Sequence, residues 1–498
     1  MSKSMKTARK LGLIIIMVSF LGGIVLIPQT WAAETATVKT RIGELEFTHD
    51  FENGYPTDKT VKKLYDEMDF QRACQAYLWG LPLVSCAQWQ HEHEKVFGAD
   101  DGDFITYTTY KDKLGILTAN LTTPYVFAIA NLARTGPLVL ELQPGLNASV
   151  ISDFWQKGVV AVGAMGPDQC KGGKYLILPP DSNMPDVKGY FMARMPTQNF
   201  ALGLRALDPD QEKGMAWIHS LQLYPYAKRN NPPKSKFIEA GGKKWSQMQP
   251  GGMAYWERLA DIINNEVVQE HDRVMMAMLK PLGIEKGKPF NPNDRQKKIL
   301  IEAALVGEAM AKANTYEKRF DDVLYRPETH WKYVIFWDWT HETEYYHQLD
   351  ELAAYTYEAV GTNSAMTSQK PGFGQAFLGA YKDSKGTWLD GGSTYRLHIP
   401  PAPPMKQFWS VTVYDVDTRC PIDNKQQIAD RSSRMDLIKN DDGSVDLYFG
   451  PKAPKGKEQN WIPTVPGKGW FTYLRLYAPT EPYFERSWKL PDIEKIDK

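Results

Sequence analysis

The run at residues 470–478, "WFTYLRLYA", alternates strictly along its length. Successive side chains of an extended chain point to opposite faces, so Phe471, Tyr473, Arg475 and Tyr477 share one side and Trp470, Thr472, Leu474 and Leu476 the other. That alternation is the signature of an antiparallel sheet. "YRLHI", "QFWSVTVYDV" and "VDLYF" precede it, the last after a turn at 440–443, and all read as strands. An earlier block, 104–207, has the same character: "FITYTTY", "YVFAIANL", "PLVLEL", "VISDFW", "KYLIL" and "YFMARM", separated by turn residues. Several short strands close together predict a sandwich or barrel.

Helical periodicity fills the remainder. From 57 to about 97, Val61, Leu64 and Met68 recur at three and four, with Thr57 or Asp58 as N-cap, and Gly80 and Pro82 are expected to break the helix. Between 208 and 385 helices are expected at 254–279, where Trp256, Leu259, Ile263 and Val267 keep helical spacing, and at 294–319. A chain of 498 residues with 15 Trp and 25 Tyr suits two or three domains with wide aromatic β surfaces. The proline-rich "IPPAPP" reads as an extended connector.

Lys3, Lys6, Arg9 and Lys10 precede an apolar run at 11–27 and then "PQTWAAETA", the three parts of a secretory signal. Cleavage is expected between Ala32 and Ala33, giving a periplasmic or secreted protein; the 17-residue run is also long enough to consider a retained anchor. Removing residues 1–32 takes away four basic side chains and no acidic one, so the balance moves from 59 against 59 to 55 against 59. A net negative chain is unsuited to nucleic acid. Cys74, Cys86, Cys170 and Cys420 allow three pairings in an oxidising compartment. Cys74 and Cys86 would stand roughly 18 Å apart on a continuous helix, so they pair only if the 80–82 segment folds it back.

The stretch "GPDQCKGGKYLILPP" resembles a phosphate-gripping loop at first sight. A Walker loop needs Gly-Lys-Ser/Thr followed by a helix, whereas Lys174 is followed by Tyr175 and an apolar run that ends in two prolines. It reads as a turn entering a strand. No G-x-S-x-G elbow occurs. The dense polar clusters are His91-Glu-His93, expected in an exposed loop, and "DWTHETEYYH", expected to be a helix with Glu344 and His347 on one face. A zincin needs histidine at 345, where Tyr345 stands, and the other Glu-x-x-His, at Glu46 and His49, lies in an extended segment. The reading calls for no cofactor and leaves a metal open. Asp153 in "SDFWQ", Asp415, Asp417 and Arg419 in "YDVDTRC", and Arg475 are charges in or beside strands, which either pair structurally or line a pocket.

"TANLTTPYVFAIANLARTGPLVLELQPG", "DFWQ" and "GPDQCKGGKYLILPP" resemble the amino-terminal domain called DUF1254. "LDGGSTYRLHIPPAPPMKQFWSVTVYD", "NDDGSVDLYFGP", "NWIPT" and "LRLYAPTEP" resemble its usual partner, DUF1214. The resemblance implies an α+β, mainly β fold: two jelly-roll-like antiparallel β-sandwich domains with a helical N-terminal segment and a helical middle insert. The organisation expected is a signal at 1–32, the first domain at 57–207, a helical region at 208–385 and the second domain at 386–493. It further implies export and a homo-oligomer, and supplies no activity or catalytic set. Many relatives carry Asn-x-Asp-Thr-x-Tyr; here Asn120 and Tyr125 are kept and Thr122 replaces the aspartate.

Two functions follow as expectations. One is a hydrolase-like enzyme acting on a small molecule or envelope component in a pocket between the β domains, with Asp153, Asp338, His341, Glu342, Asp415 and Arg419 as the catalytic set. The other is a non-catalytic protein for ligand binding or envelope assembly. The partner expected is a small molecule or glycan, with no nucleic acid and no membrane span once the signal is removed.

Overall fold

A computed structural model describes residues 35–367 and 369–496. The expected signal segment lies outside the described residues. The chain divides into two compact units, one ending at Tyr65 and the other formed by Asp66–Lys498. In the first, β1 (Ala36–Thr40) and β2 (Gly43–Phe47) form an antiparallel hairpin, and the Glu46 amide donates to Thr60 Oγ1 at 2.8 Å.

Helix α1 (Asp58–Glu92) runs unbroken through Gly80 and Pro82, against expectation. Leu81, Leu83 and Val84 are at most 1% exposed and Pro82 is buried among them; packing on this stretch outweighs the hydrogen bond that the proline omits. Cys74 and Cys86 therefore stay apart on one helix, and all four cysteines are free thiols.

The first β block comprises β3 (Phe104–Tyr107), β4 (Tyr125–Asn131), β5 (Leu138–Leu142), β6 (Ala148–Asp153), β7 (Gly158–Gly163), β8 (Gly173–Leu178), β9 (Phe191–Arg194), β10 (Asn199–Arg205), β11 (Gln222–Pro225) and β12 (Phe237–Glu239). They form a six-stranded sheet, β12-β3-β4-β10-β6-β7, and a four-stranded sheet, β11-β5-β8-β9. The second block comprises β13 (Lys332–Tyr333), β14 (Gln375–Ala380), β15 (Tyr395–Ile399), β16 (Trp409–Asp415), β17 (Asp430–Ser432), β18 (Val445–Gly450), β19 (Trp461–Pro463), β20 (Trp470–Tyr477) and β21 (Glu494–Lys495). Its sheets are β13-β14-β20-β16-β17 and β19-β18-β15-β21. Pairing is antiparallel except for β3–β12, β8–β9 and β18–β19, all at sheet edges. The segment expected to be helical, 208–385, thus also contributes strands to both sandwiches.

Helices α2 (Leu132–Thr135) and α3 (Gln211–His219) belong to the first block. The expected helix at 254–279 is two, α4 (Met253–Asn265) and α5 (Arg273–Leu279). Then follow α6 (Asp294–Tyr316), opened by a capping box between Asn293 and Gln296, α7 (Leu349–Glu358) and the single turn α8 (Glu481–Phe484). Among the described residues no helix is long and apolar enough to cross a membrane.

The central strands are buried on both faces. Val126, Ala128 and Ala130 of β4 face the interior of the first sandwich, whereas Tyr125, Phe127 and Ile129 join a cluster built by α1, α4, α6 and α7. Strand β20 repeats the division: Trp470, Leu474 and Leu476 face the second sandwich, and Phe471 and Tyr473 join the same helical cluster. Within that cluster α6 lies hard against α1 at Gly307, where an added Cβ would come within 2.6 Å of the Tyr77 ring. Tyr77 is stacked on Tyr255 of α4 at 4.0 Å between centroids. The substitution Gly307→Ala is therefore expected to destabilise the protein by about 1–3 kcal/mol through overpacking. Urea unfolding measures this; an unchanged midpoint and slope would mean that the two helices are not in this contact.

Candidate functional site

Strand β6 ends at Asp153, and the chain turns at once into β7. The Asp153 amide donates to the Lys157 carbonyl at 2.9 Å, and the Lys157 amide returns a 2.9 Å bond to Asp153 Oδ1. Gln156, at φ +70°, closes the turn and anchors it to α1 through a 2.9 Å bond from its Nε2 to the Pro82 carbonyl. The turn holds Asp153 at 3% exposure beside a cleft of about 510 Å³. Burial pushes its carboxyl up to about 7, opposed by the Lys157 amide and ammonium.

Two more segments complete the cleft. One is the loop between α4 and α5, carrying His271 and Asp272; the other is 339–349, leading into α7 and carrying Trp339, His341, Glu342 and His347. The rings of His271 and His347 lie 4.4 Å apart. Asp272 accepts from Trp79 Nε1 at 3.1 Å and lies 3.6 Å from His271 Nε2; burial raises its carboxyl, while His271, Trp79 and His347 act the other way. Glu342 is 3.8 Å from both Lys157 Nζ and His347 Nδ1. Trp79 and Trp155 meet at 5.0 Å in the lining, and the buried Trp155 Nε1 has no hydrogen-bond partner.

The segment 338–347 is not the expected helix. His341 is left-handed, at φ +66°, and side chains capture the backbone amides that a helix would use. Asp338 Oδ1 accepts from the Thr340 amide, and Thr343 Oγ1 from the amides of Tyr345 and Tyr346. Glu344 and His347 therefore share no helix face. Among the described residues no cluster of three or more His, Cys, Asp or Glu is placed to hold a metal ion.

Of the six residues expected to act together, Asp153, His341 and Glu342 line this cleft. Asp338 is exposed and supports the turn before His341, whose amide donates to the Asp338 carbonyl at 3.0 Å. His341 Nε2 meets Thr362 Oγ1 at 2.7 Å, and burial holds its imidazole down to about 3. It is neutral at ordinary pH and fixes the segment rather than supplying charge. Asp415 and Arg419 lie outside the cleft lining. Asp415 pairs with Lys468 at 3.3 Å, and Arg419, 1% exposed at φ +60°, lies 3.9 Å over the Tyr357 ring. His93, expected in an exposed loop, is buried where α1 ends and meets the Tyr107 hydroxyl at 3.1 Å. Sequence reasoning missed Asp272 and His271, for which "QEHDR" carries no motif, and the aromatic role of Trp79.

With the geometry in place, the comparisons give the class. Residues 103–224 match DUF1254 and residues 374–481 match DUF1214, each described as a protein of unknown function. The chain carries these two domains in tandem. The VPA0106 protein of Vibrio parahaemolyticus shares the fold at 16% identity, with a TM-score of 0.55 over 86% of this chain and 100% of that one. An uncharacterized protein from Burkholderia cenocepacia aligns at 12% identity and a TM-score of 0.39, over 88% of this chain and 96% of that one. A search of curated proteins finds no match. Thr122 hydrogen-bonds Asp430 at 3.2 Å, and neighbouring Asn120 donates to Ser410 at 3.1 Å, so this loop fastens the first domain to the second.

The raised Asp153 carboxyl has a consequence for stability. Its folded value lies above its unfolded one, so the folded protein holds the extra proton between roughly pH 4 and 7, and stability falls as pH rises through that window. Compared with Asp153→Asn, which keeps the acceptor for the Lys157 amide, the native protein should lose on the order of 2–4 kcal/mol from pH 4 to 7. Above pH 7 the difference should level off. Parallel stability profiles, measured by denaturant unfolding across pH, would refute the assignment.

Proposed function

We propose that the chain is an exported hydrolase-like enzyme that works on a small molecule or a short glycan in this cleft, with Asp153 as the proton-transfer group. One observation carries the reading: a carboxyl buried at the end of β6, which burial pushes up to about 7, borders a cleft of about 510 Å³. A general acid or base is most effective when its pKa lies near the working pH. Export is supported by the three-part pattern of residues 1–32.

In this reading the Asp153 carboxylate takes a proton from water as the water oxygen bonds to the substrate's electrophilic carbon. The bond to the leaving oxygen or nitrogen breaks, and that atom takes the proton that the Asp153 carboxyl has just received, with the His271 and His347 rings placed in the same cleft to hydrogen-bond the departing group. Lys157 supplies positive charge beside the reacting carboxylate, and Trp79, Trp155 and Trp339 offer flat apolar surface to a ring or sugar face. Glu342 lies beside Lys157 and His347, and Asp272 beside His271, which positions these groups in the cleft.

Purified protein screened against ester, amide and glycoside substrates tests the proposal. Asp153→Asn should lower kcat by about 10²–10⁴-fold, and a limb of the native pH–rate profile near pH 7 should vanish with it. Turnover that survives substitution of Asp153, His271 and His347 would overturn the assignment. Inactivity across the whole panel would move the cleft to a ligand-binding role.

A further inference from the structure

A second cavity, of about 160 Å³, lies between the two sandwiches and shares no lining residue with the acid–base cleft. Two guanidinium groups enter it, Arg205 from the end of β10 and Arg475 from the middle of β20. Arg475 is 4% exposed. Its Nη1 donates to the Tyr414 hydroxyl at 2.6 Å and its Nη2 to the Thr118 carbonyl at 2.5 Å. Arg205 Nη1 donates to the Tyr477 hydroxyl at 3.0 Å, with Gln375 Oε1 at 3.4 Å, while its buried Nε has no partner. The Arg205 guanidinium carbon lies 5.0 Å from the centre of the Tyr125 ring.

Among the described residues, no carboxylate forms an ion pair with either arginine. Lys113, 1% exposed, adds a third cation beside Tyr125; its Nζ is held by the carbonyls of Leu121 and Thr123. Asp430 acts electrically on Arg475, but it already answers to Lys113 and Arg431 as well, and Asp112 acts on Lys113. A guanidinium cannot shed its proton to escape burial, and uncompensated buried charge costs several kcal/mol. Tyrosine hydroxyls and carbonyls satisfy its donors in part and leave its charge unneutralised.

Most of the remaining lining is apolar, including Ile116, Phe127, Val150, Val360 and Phe377, with Ser149, Ser152 and Gln156 among the polar residues, and the half-buried Met165, Asn363 and Met366 give it a solvent-side rim. A dry cavity of roughly 150 Å³ accepts a benzene ring. We propose that this inter-sandwich cavity is a binding site for a small monocarboxylate with a single-ring or short branched apolar body, its carboxylate shared by Arg205 and Arg475 and its apolar part seated against Phe127 and Phe377. Planar guanidinium forks match carboxylate oxygens in geometry as well as charge.

Titration calorimetry of the full-length mature protein with acetate, isobutyrate, benzoate and phenylacetate tests this, with benzamide as the neutral isostere of benzoate and chloride and sulfate as inorganic anions. At least one of the larger acids should bind, benzoate at least tenfold more tightly than benzamide. Arg205→Gln, on the less buried arginine, should weaken the best acid at least tenfold while the circular dichroism spectrum is kept; Arg475→Gln should do the same where it folds. Benzamide binding as well as benzoate, equal stabilisation by chloride or sulfate, unchanged affinity in Arg205→Gln, or no binding of any acid would each overturn the proposal.

Discussion

Everything in the second unit depends on central strands that have no outside. Strands β4 and β20 present one face to their own sandwich and the other to a shared interior of helices and aromatic rings. A strand with a single buried face can leave its polar residues in water; these cannot. Polar groups that enter the shared interior must find partners within it, and the chain supplies mostly tyrosine hydroxyls. Lys318 and Glu358, both fully buried, form a 3.3 Å ion pair and each also bonds the Tyr381 hydroxyl. Such a pair is an indifferent source of stability, yet removing one partner strands the other charge at a cost of about 3–5 kcal/mol.

The same constraint sorts the two binding spaces. At the centre, where both inner sheets approach, the space is small, apolar and walled by arginines whose partners are uncharged. The cleft lies at the end of strand β6, where the chain leaves the sheet, and two loops, 266–272 and 339–348, supply much of its wall. Loops can carry Asp272, His271 and His347 without the packing constraint that governs the interior. Asp153 belongs to both worlds: its backbone completes a buried strand and turn, and its carboxyl borders the cleft. That position accounts for a proton held more tightly than usual on an acid that borders the cleft.

Much of this was legible in the sequence, and the failures are instructive. The alternation of 470–477 placed each side chain on its observed face, because period-two patterning survives burial on both sides when one face is aromatic and the other largely aliphatic. "KYLIL" was read correctly as a strand once the residue after Lys174 excluded a phosphate loop. Pro82 misled because a proline forfeits only one hydrogen bond, and the packing around α1 exceeds that loss. The segment 338–347 misled in the opposite direction: its polar residues fit a helix face by spacing, yet Asp338 and Thr343 take the backbone amides for themselves. The meeting of Asp153, His271 and Asp272 in one cleft left no local trace, since it joins segments more than a hundred residues apart. Asp415 and Arg419 were legible as buried charges near a strand, and only the tertiary structure shows that Lys468 and Tyr357 occupy them.

If the two sandwiches share one interior, neither can unfold while the other stays native. Differential scanning calorimetry of the full-length protein tests this most directly. The account predicts one heat-absorption peak for residues 66–498, with calorimetric and van't Hoff enthalpies in agreement. Two well-separated peaks of comparable enthalpy would show two independent β domains and contradict it.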